Sequence, residues 1–311
     1  MATIGVDLGG TKTMAVLVEG RVVQAKAKRS TPVFGGPEAV IDTIMRAVTK
    51  LDPDGNAVAI GIGMPGPVMP GTGVLPAAPN LPGWDYDVPV GDLLTERLGG
   101  RPVVVDNDVN VGTLAEHRLG AGMGVDNLLC VFAGTGIGAG LILDGALRRG
   151  PRGLTGEIGH SFVAFRDLKS DGPGRGELED YAGRRSMEQN ARWLAEQGEG
   201  TVLVDLAEGG RLKSRIWAEA IDAGDALAAR LVDEAASALA AAIASAIVLI
   251  DLELVVLGGG MAERLGEPFR KRIENEVMER SFTGSSTPVR AARMGDTGGA
   301  VGASLLVEDC G

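Results

Sequence analysis

Cysteine and histidine are nearly absent from this chain: 311 residues hold two of each. Cys130 sits in an apolar stretch and Cys310 stands next to the last residue, so no disulfide framework is expected, and a reducing cytoplasmic setting follows. Positive charge is also short. Lys and Arg number 30 against 41 Asp and Glu, a net charge of −11. That balance excludes the basic patch a nucleic-acid surface needs. It also excludes a general anion trap, so any phosphate must be met by local backbone N–H groups. Long hydrophobic runs are missing as well. Gly5 and Asp7 break the first apolar run, so no signal peptide is expected. The run from Ala235 to Ile250 is mostly alanine and shorter than the roughly 20 residues of a membrane span. It reads as a buried helix, and no membrane partner is expected.

Glycine is plentiful instead, with 48 residues and no collagen period. It concentrates in turns, which suits close backbone approaches. An apolar fraction of 45% and this length allow two domains with real cores. One glycine turn occurs twice. The first copy is Asp7-Leu8-Gly9-Gly10-Thr11; the second is Ala133-Gly134-Thr135-Gly136-Ile137-Gly138. Each follows a short apolar strand and leads into another strand that ends in an acidic-Gly turn, Glu19-Gly20 or Asp144-Gly145. Two matching units predict two related lobes, each aiming a glycine turn at one nucleotide.

The spacing predicts three antiparallel strands over 3–28 and a helix from Glu38 to Leu51, with Val40, Ile41, Ile44, Ala47, Val48 and Leu51 on one side. A buried strand follows over 57–64. Residues 65–84 are rich in Pro and Gly and read as a loop. A strand over 103–105 runs into Asp106-Asn107-Asp108 and a helix to about Leu119. Helices dominate 186–250, a strand over 252–257 meets Gly258-Gly259-Gly260, and a helix over about 299–307 returns to the first lobe.

Taken alone, the Asp7–Lys12 segment is either an ordinary hairpin turn or a phosphate loop in which Thr11 offers a hydroxyl and Asp7 an oxygen for Mg²⁺. The second copy favours the phosphate loop, because 134–138 is too glycine-dense for a simple hairpin. No Gly-Lys-Ser/Thr follows, so it is not a Walker loop. A strand comes next, which excludes a Rossmann fingerprint. Asp108 is a candidate general base for phosphoryl transfer to an alcohol, and Asp106 is its rival; either also serves as a helix N-cap. Gly156-Glu157-Ile158-Gly159-His160 carries one of the two histidines, fit for a metal, a sugar hydroxyl or a satisfied core. Glu157 suits a polyol. Glu177 and Glu179 suit the same role or a solvated helix start. His117 is given no role.

With these motifs in place, the chain resembles the ROK family of sugar kinases and sugar-responsive regulators. The resemblance rests on the two turns, Gly63-Met64-Pro65-Gly66-Pro67, Asn80-Leu81-Pro82-Gly83-Trp84, Asn107-Asp108-Val109-Asn110, the Glu157–His160 segment and Leu257-Gly258-Gly259-Gly260. It implies an α/β fold of two ribonuclease-H-like, actin-like ATPase lobes around a central cleft. A small lobe would span 1–118 plus about 296–311, and a large one 119–295. It implies ATP and Mg²⁺, with Asp7 on the metal, directly or through water. Gly9, Gly10, Thr11, Lys12, Gly134, Thr135 and Gly136 would hold the phosphates, and Gly258 and Gly259 would lie near the adenosine. Asp108 would be the base. Gly66, Asn80, Asn107, Glu157, His160 and Glu179 would line the sugar. The implied reaction is phosphorylation of a hexose 6-hydroxyl, with glucose favoured by the Asn-Leu-Pro-Gly-Trp loop, in a cytoplasmic homodimer.

One departure stands out. Most members of the family follow the histidine with Cys-x-Cys-Gly-x-x-Gly-Cys-Leu-Glu, whose thiolates bind structural zinc with that histidine. Here the stretch is Ser170 to Glu179: Gly176, Leu178 and Glu179 remain and every cysteine is gone. No zinc is expected, and other contacts or the sugar must order residues 160–180. The loss opens a kinase for a hexose analogue, an amino sugar or a cyclitol. A sugar-binding protein without catalysis is the reading of another class. A regulator of this family would carry an N-terminal helix-turn-helix arm, and none precedes the first strand.

Overall fold

The computed structural model describes residues 1–77, 83–164, 175–282 and 287–308. In chain order the elements are β1 (Ala2–Leu8), β2 (Lys12–Glu19), β3 (Val22–Ser30), α1 (Gly36–Leu51), β4 (Ala59–Met64), β5 (Val74–Leu75), β6 (Val88–Pro89), α2 (Val90–Arg97), β7 (Val103–Asn107) and α3 (Asp108–Leu119). There follow β8 (Leu128–Ala133), β9 (Ile137–Leu143), β10 (Ala146–Arg148), α4 (Leu178–Ala182), α5 (Arg184–Glu196), α6 (Leu203–Leu206), α7 (Ser214–Asp222) and α8 (Ala226–Ile250). The chain closes with β11 (Leu254–Gly258), α9 (Gly260–Glu279), β12 (Val289–Ala291) and α10 (Gly298–Leu305). Two compact units form: 1–124 with 140–155 and 293–311, and 125–139 with 156–292; the boundary falls inside β9.

The duplicated turn belongs to a duplicated sheet. One sheet is ordered β3-β2-β1-β4-β7 and the other β10-β9-β8-β11-β12. Each has a hairpin edge and two parallel strands beyond the strand that precedes the glycine turn. The acidic-Gly corners are left-handed turns: Gly20 has φ 61°, Asp144 φ 54° and Gly145 φ 71°. Right-handed strand twist favours such corners in tight hairpins.

In the first unit α1 begins with Pro37 in its first turn, where the missing N–H costs nothing. Glu38 at that end and Lys50 at the other suit the helix dipole. Its apolar side, Val40 to Val48, packs with Ile4, Val6, Ile60 and Ile62 into the main core of the unit. On another layer α10 lies against β1, β4 and α3. The contact is backbone to backbone: a Cβ on Gly5 would stand 1.8 Å from the Ala300 carbonyl oxygen, and one on Gly61 1.7 Å from that of Ala303. Only glycine allows it. The Pro- and Gly-rich segment read as a loop does contain a two-residue strand, β5, paired with β6.

In the second unit the apolar run at 235–250 is the end of the 25-residue helix α8. The length argument against a membrane span therefore fails, since this helix is long and apolar enough to cross one. The helix is partly buried, 44% of its most apolar stretch. Leu227, Leu231, Leu239 and Ile243 are in the core, whereas Val248 and Leu249 at the far end are exposed. β12 went unread in the sequence; three residues give too short a pattern.

Candidate active site

In the first unit the parallel strands bring the candidate residues to one sheet edge. Asp7, Gly63 and Asp106 stand in register across β1, β4 and β7. The Gly9–Lys12 turn, Gly66 and the Asn107-Asp108 pair all follow just beyond that row. Carboxyl ends of parallel strands are where open α/β sheets bind ligands.

The turn is tight. The Gly9 N–H donates to the Lys12 carbonyl at 2.9 Å, and the Thr31 hydroxyl donates to the Gly9 carbonyl at 2.6 Å. Gly10 and Thr11 are exposed. A Cβ on Gly10 would meet nothing within 4 Å, and its φ is not in the left-handed region. The fold therefore gives no reason for glycine there, while a ligand drawn close to the backbone does. Lys12 pairs with Asp296 at 3.5 Å.

Asp7 is a carboxylate under burial. That burial raises its pKa from 3.8 to about 6, against the pull of the Lys12 charge. Gly299 lies so close that a Cβ there would sit 2.5 Å from Asp7 Oδ2. Among the described residues no hydrogen-bond donor meets the carboxylate. A desolvated oxygen donor of this kind fits a hard cation such as Mg²⁺.

Asp106 and Asp108 separate clearly. Asp106 is 4% exposed. Its Oδ1 accepts from the Asn107 N–H and the Asn110 amide, each at 2.8 Å, and its Oδ2 accepts from Arg149 Nε at 2.5 Å. Each oxygen is thus committed to the protein. Neither aspartate is the helix N-cap; Asn107 is, its Oδ1 accepting from Val109 N–H at 2.9 Å and Asn110 N–H at 3.2 Å. The Asn107 amide donates to the Gly66 carbonyl at 3.0 Å, which ties these two candidates together. Asp108 opens α3, partly exposed, with its Oδ1 accepting from the Val109 N–H at 2.9 Å. Asn80 lies outside the described residues.

The second unit gathers the rest. β8 and β11 run parallel with Gly258 opposite Phe132, so the Gly134–Gly136 turn and Gly258-Gly259 leave the same edge. Gly134, like Gly10, has open space where a Cβ would stand, with only the Gly136 carbonyl oxygen near, at 3.9 Å. Gly259 is different: φ is 90° and a Cβ would lie 2.4 Å from the Ala133 carbonyl oxygen, so packing alone requires it. Glu179 braces the turn from below. Its Oε2 accepts from the Ile137 N–H at 2.6 Å and crowds Gly136 and Gly159. It therefore joins the phosphate-turn candidate to the histidine segment.

Glu157, at the N-cap of a short 3-10 helix over 158–160, and His160 at its end are exposed, and the His160 side chain is 64% exposed, which rules out the buried-core reading. Its Nδ1 faces Glu177 Oε2 at 3.1 Å. That hydrogen bond raises the histidine pKa, against burial, with help from the charges of Glu177, Glu157 and Glu179. The Glu177 pKa falls, first through His160 and then, against burial, through Arg175. Among the described residues no three His, Cys, Asp or Glu side chains converge on a point fit for a metal ion. Cys130 is buried in β8, and Cys310 lies outside the described residues.

Sequence reasoning missed Arg184. Its guanidinium donates to Thr135 Oγ1 at 2.9 Å and to the Leu212 carbonyl at 3.3 Å, while the Arg184 and Arg185 N–H groups donate to the Gly134 and Thr135 carbonyls. A signal existed. Two arginines open α5, which has no acidic residue in its first turn, where the helix dipole favours the opposite charge.

Comparison with known proteins extends the picture. The ROK family profile matches residues 3–310. Over 315 residues the chain is 32% identical to the glucokinase of Thermotoga maritima, covering 99% of this chain and 98% of that one. The ROK hexokinase from Thermus thermophilus is 33% identical with a TM-score of 0.82 over 100% of both chains. A ROK family glucokinase from Streptomyces griseus, solved with glucose and AMPPNP, is 32% identical with a TM-score of 0.82, over 98% of this chain and 99% of that one.

Proposed function

The chain belongs to the ROK family, and from that premise we propose that it is an ATP-dependent hexose 6-kinase whose acceptor is glucose. The observation that carries this is the repeated turn on two sheets of the same order, with Gly10 and Gly134 each open to a ligand at the backbone. The relatives named glucokinase, and the neighbour holding glucose and AMPPNP, support the donor and the acceptor.

Asp108 is assigned as the general base. It accepts the proton of the sugar hydroxyl as that oxygen attacks the γ-phosphorus in line. Such a base contributes roughly 10²–10⁴-fold. Asp106 is assigned a structural part, because Arg149, Asn110 and the Asn107 N–H occupy both its oxygens. The Gly9–Lys12 and Gly134–Gly136 turns offer backbone N–H groups to the phosphates, with Thr11, Lys12, Thr135 and Arg184 beside them. Mg²⁺ bound with the nucleotide would offset phosphate charge, and Asp7 is the residue fit to hold it. Asn107, Glu157, His160 and Glu179 are assigned to the sugar side, with Gly66 and Asn80; Gly258 and Gly259 to the adenosine side.

The test is an acceptor panel of glucose, mannose, N-acetylglucosamine and a cyclitol, read as ADP release and compared by kcat/KM. Glucose should lead, and 6-deoxyglucose should release no ADP. A cyclitol or amino sugar preferred over glucose would move the assignment to a hexose-analogue kinase, the reading the lost cysteines open. No ADP release with any acceptor would end the kinase reading. A homodimer without nucleic acid completes the proposal, and light scattering of the purified chain checks it.

A further inference from the structure

The stretch that departs from the family pattern is not merely emptied of cysteines. Aligned on Gly176, Leu178 and Glu179, the third lost cysteine falls at Glu177. That is the side chain which meets His160, Oε2 to Nδ1 at 3.1 Å. Glu177 is itself largely covered, its side chain 12% exposed, and Arg175 donates to its other oxygen. The backbone under it is fixed by Asp180, whose Oδ2 accepts from the N–H groups of Arg175 at 2.6 Å, Gly176 at 2.9 Å and Glu177 at 3.0 Å. The histidine side is stitched to the same segment. Leu178 N–H donates to the Ser161 carbonyl at 2.8 Å and Val163 N–H to the Gly176 carbonyl at 2.9 Å. Phe162 and Glu177 form an antiparallel bridge. The chain thus joins residues 160–164 to 175–180 through backbone hydrogen bonds and the Arg175–Glu177–His160 side-chain contacts.

We propose that Glu177 is the positioning residue of His160: its carboxylate, held by Arg175 and the Asp180 turn, takes the place of a thiolate–zinc link and sets the histidine ring toward the sugar. The donors present do not fit zinc. Structural sites are built from four close ligands, mostly thiolate and imidazole, whereas every cysteine of the pattern is gone and among the described residues no three His, Cys, Asp or Glu side chains converge. Partner choice at one ring nitrogen fixes what the other can do. With Nδ1–H given to Glu177, Nε2 is turned outward and meets no donor or acceptor among the described residues. The proposal rests on the sugar-kinase reading for the role of that outward nitrogen, and on geometry alone for the Glu177–His160 link.

Glu177→Ala and Glu177→Gln test it in three readings. Loss of a charge-assisted hydrogen bond should raise the glucose KM about tenfold in Glu177→Ala while kcat changes far less. Glu177→Gln, which keeps an acceptor, should fall between. In a His160→Ala background Glu177→Ala should add nothing, because it acts through the ring. NMR of protein labelled in its histidine rings, only two to assign, should show a protected His160 Nδ1–H that Glu177→Ala abolishes. Metal analysis of wild type should show no stoichiometric zinc, and chelator treatment should leave activity unchanged. An unaltered KM with an unaltered ring signal, a full additive loss in the double variant, or one zinc per chain removed by chelator would each overturn the proposal. The ring signal needs no sugar, so an enzyme inactive on every acceptor ends the kinase reading while the Glu177–His160 link is still decided.

Discussion

Replacing Gly10 by alanine separates what the fold requires from what a nucleotide requires. No atom lies within 4 Å of the new methyl group, and the backbone there is one that alanine adopts. Gly→Ala at a compatible site stabilises by roughly 0.4–1 kcal/mol through the unfolded chain. The melting temperature should therefore hold or rise by a degree or two, at about 2–4 °C per kcal/mol for chains somewhat smaller than this. Gly5→Ala is the control. Its methyl would stand 1.8 Å from the Ala300 carbonyl oxygen, so α10 must shift. Overpacking of that kind costs about 1–3 kcal/mol or more, and the melting temperature should drop by several degrees. Activity should show the reverse order at Gly10. A methyl where a phosphate meets the backbone weakens a charge-assisted hydrogen bond of about 1.5–3 kcal/mol. The loss in kcat/KM for ATP should be about 10- to 100-fold, with glucose KM little changed. A coupled assay of ADP release and a thermal melt suffice. An ATP kcat/KM within twofold of wild type would refute a phosphate at this turn. A melting temperature several degrees lower would mean that the fold, not the ligand, selects glycine. Gly134→Ala, with a single atom 3.9 Å away, should behave like Gly10→Ala.

Asp108→Asn should lower kcat by at least about 100-fold with a melting temperature near wild type, whereas Asp106→Ala should unsettle the fold by leaving Arg149 and Asn110 without their acceptor; the reverse pattern would exchange their roles. Asp7 holds its proton more tightly folded, at a pKa of about 6, than unfolded, near 3.8. Its effect on stability is thus least harmful below pH 4, worsens as pH rises through 4 to 6, and stays unfavourable above. Asp7→Asn should therefore raise stability at pH 7.5 by of order 1–3 kcal/mol, give no gain at pH 4, and abolish Mg²⁺-dependent turnover; equal melts at both pH values would count against a strained carboxylate. Arg184→Leu should raise the KM for ATP about tenfold and spare that for glucose, since it removes a cation and a tie to Thr135 from one turn; an effect on glucose alone would move Arg184 off the phosphate side.

Much of the order of local elements was legible in the sequence, although α2, α9 and β12 were not read there. Period-two stretches, the apolar face of α1, the turn glycines and the Asp106–Asp108 helix mouth are signals carried by neighbours in the chain, and the repeat of one strand-turn-strand unit announced the duplicated sheet. The glycine motifs likewise fixed which loops were candidates. Other matters depended on partners far away in sequence. Asp106 and Asp108 are alike locally; only the fold shows that Arg149, 43 residues on, ties down Asp106. Gly10 and Gly259 sit in similar motifs, yet only the packing of Ala133 shows that one serves the fold and the other lies open. The lost cysteines could be seen at once, but not their replacement, because Glu177 meets His160 only when the segment folds back on itself. Composition, periodicity and turn chemistry are local properties, and so they determined the architecture. Desolvation, ion pairing and steric room are set by what the tertiary structure places alongside, and so it alone showed which carboxylate is tied down, which glycine lies open and which cation meets a turn.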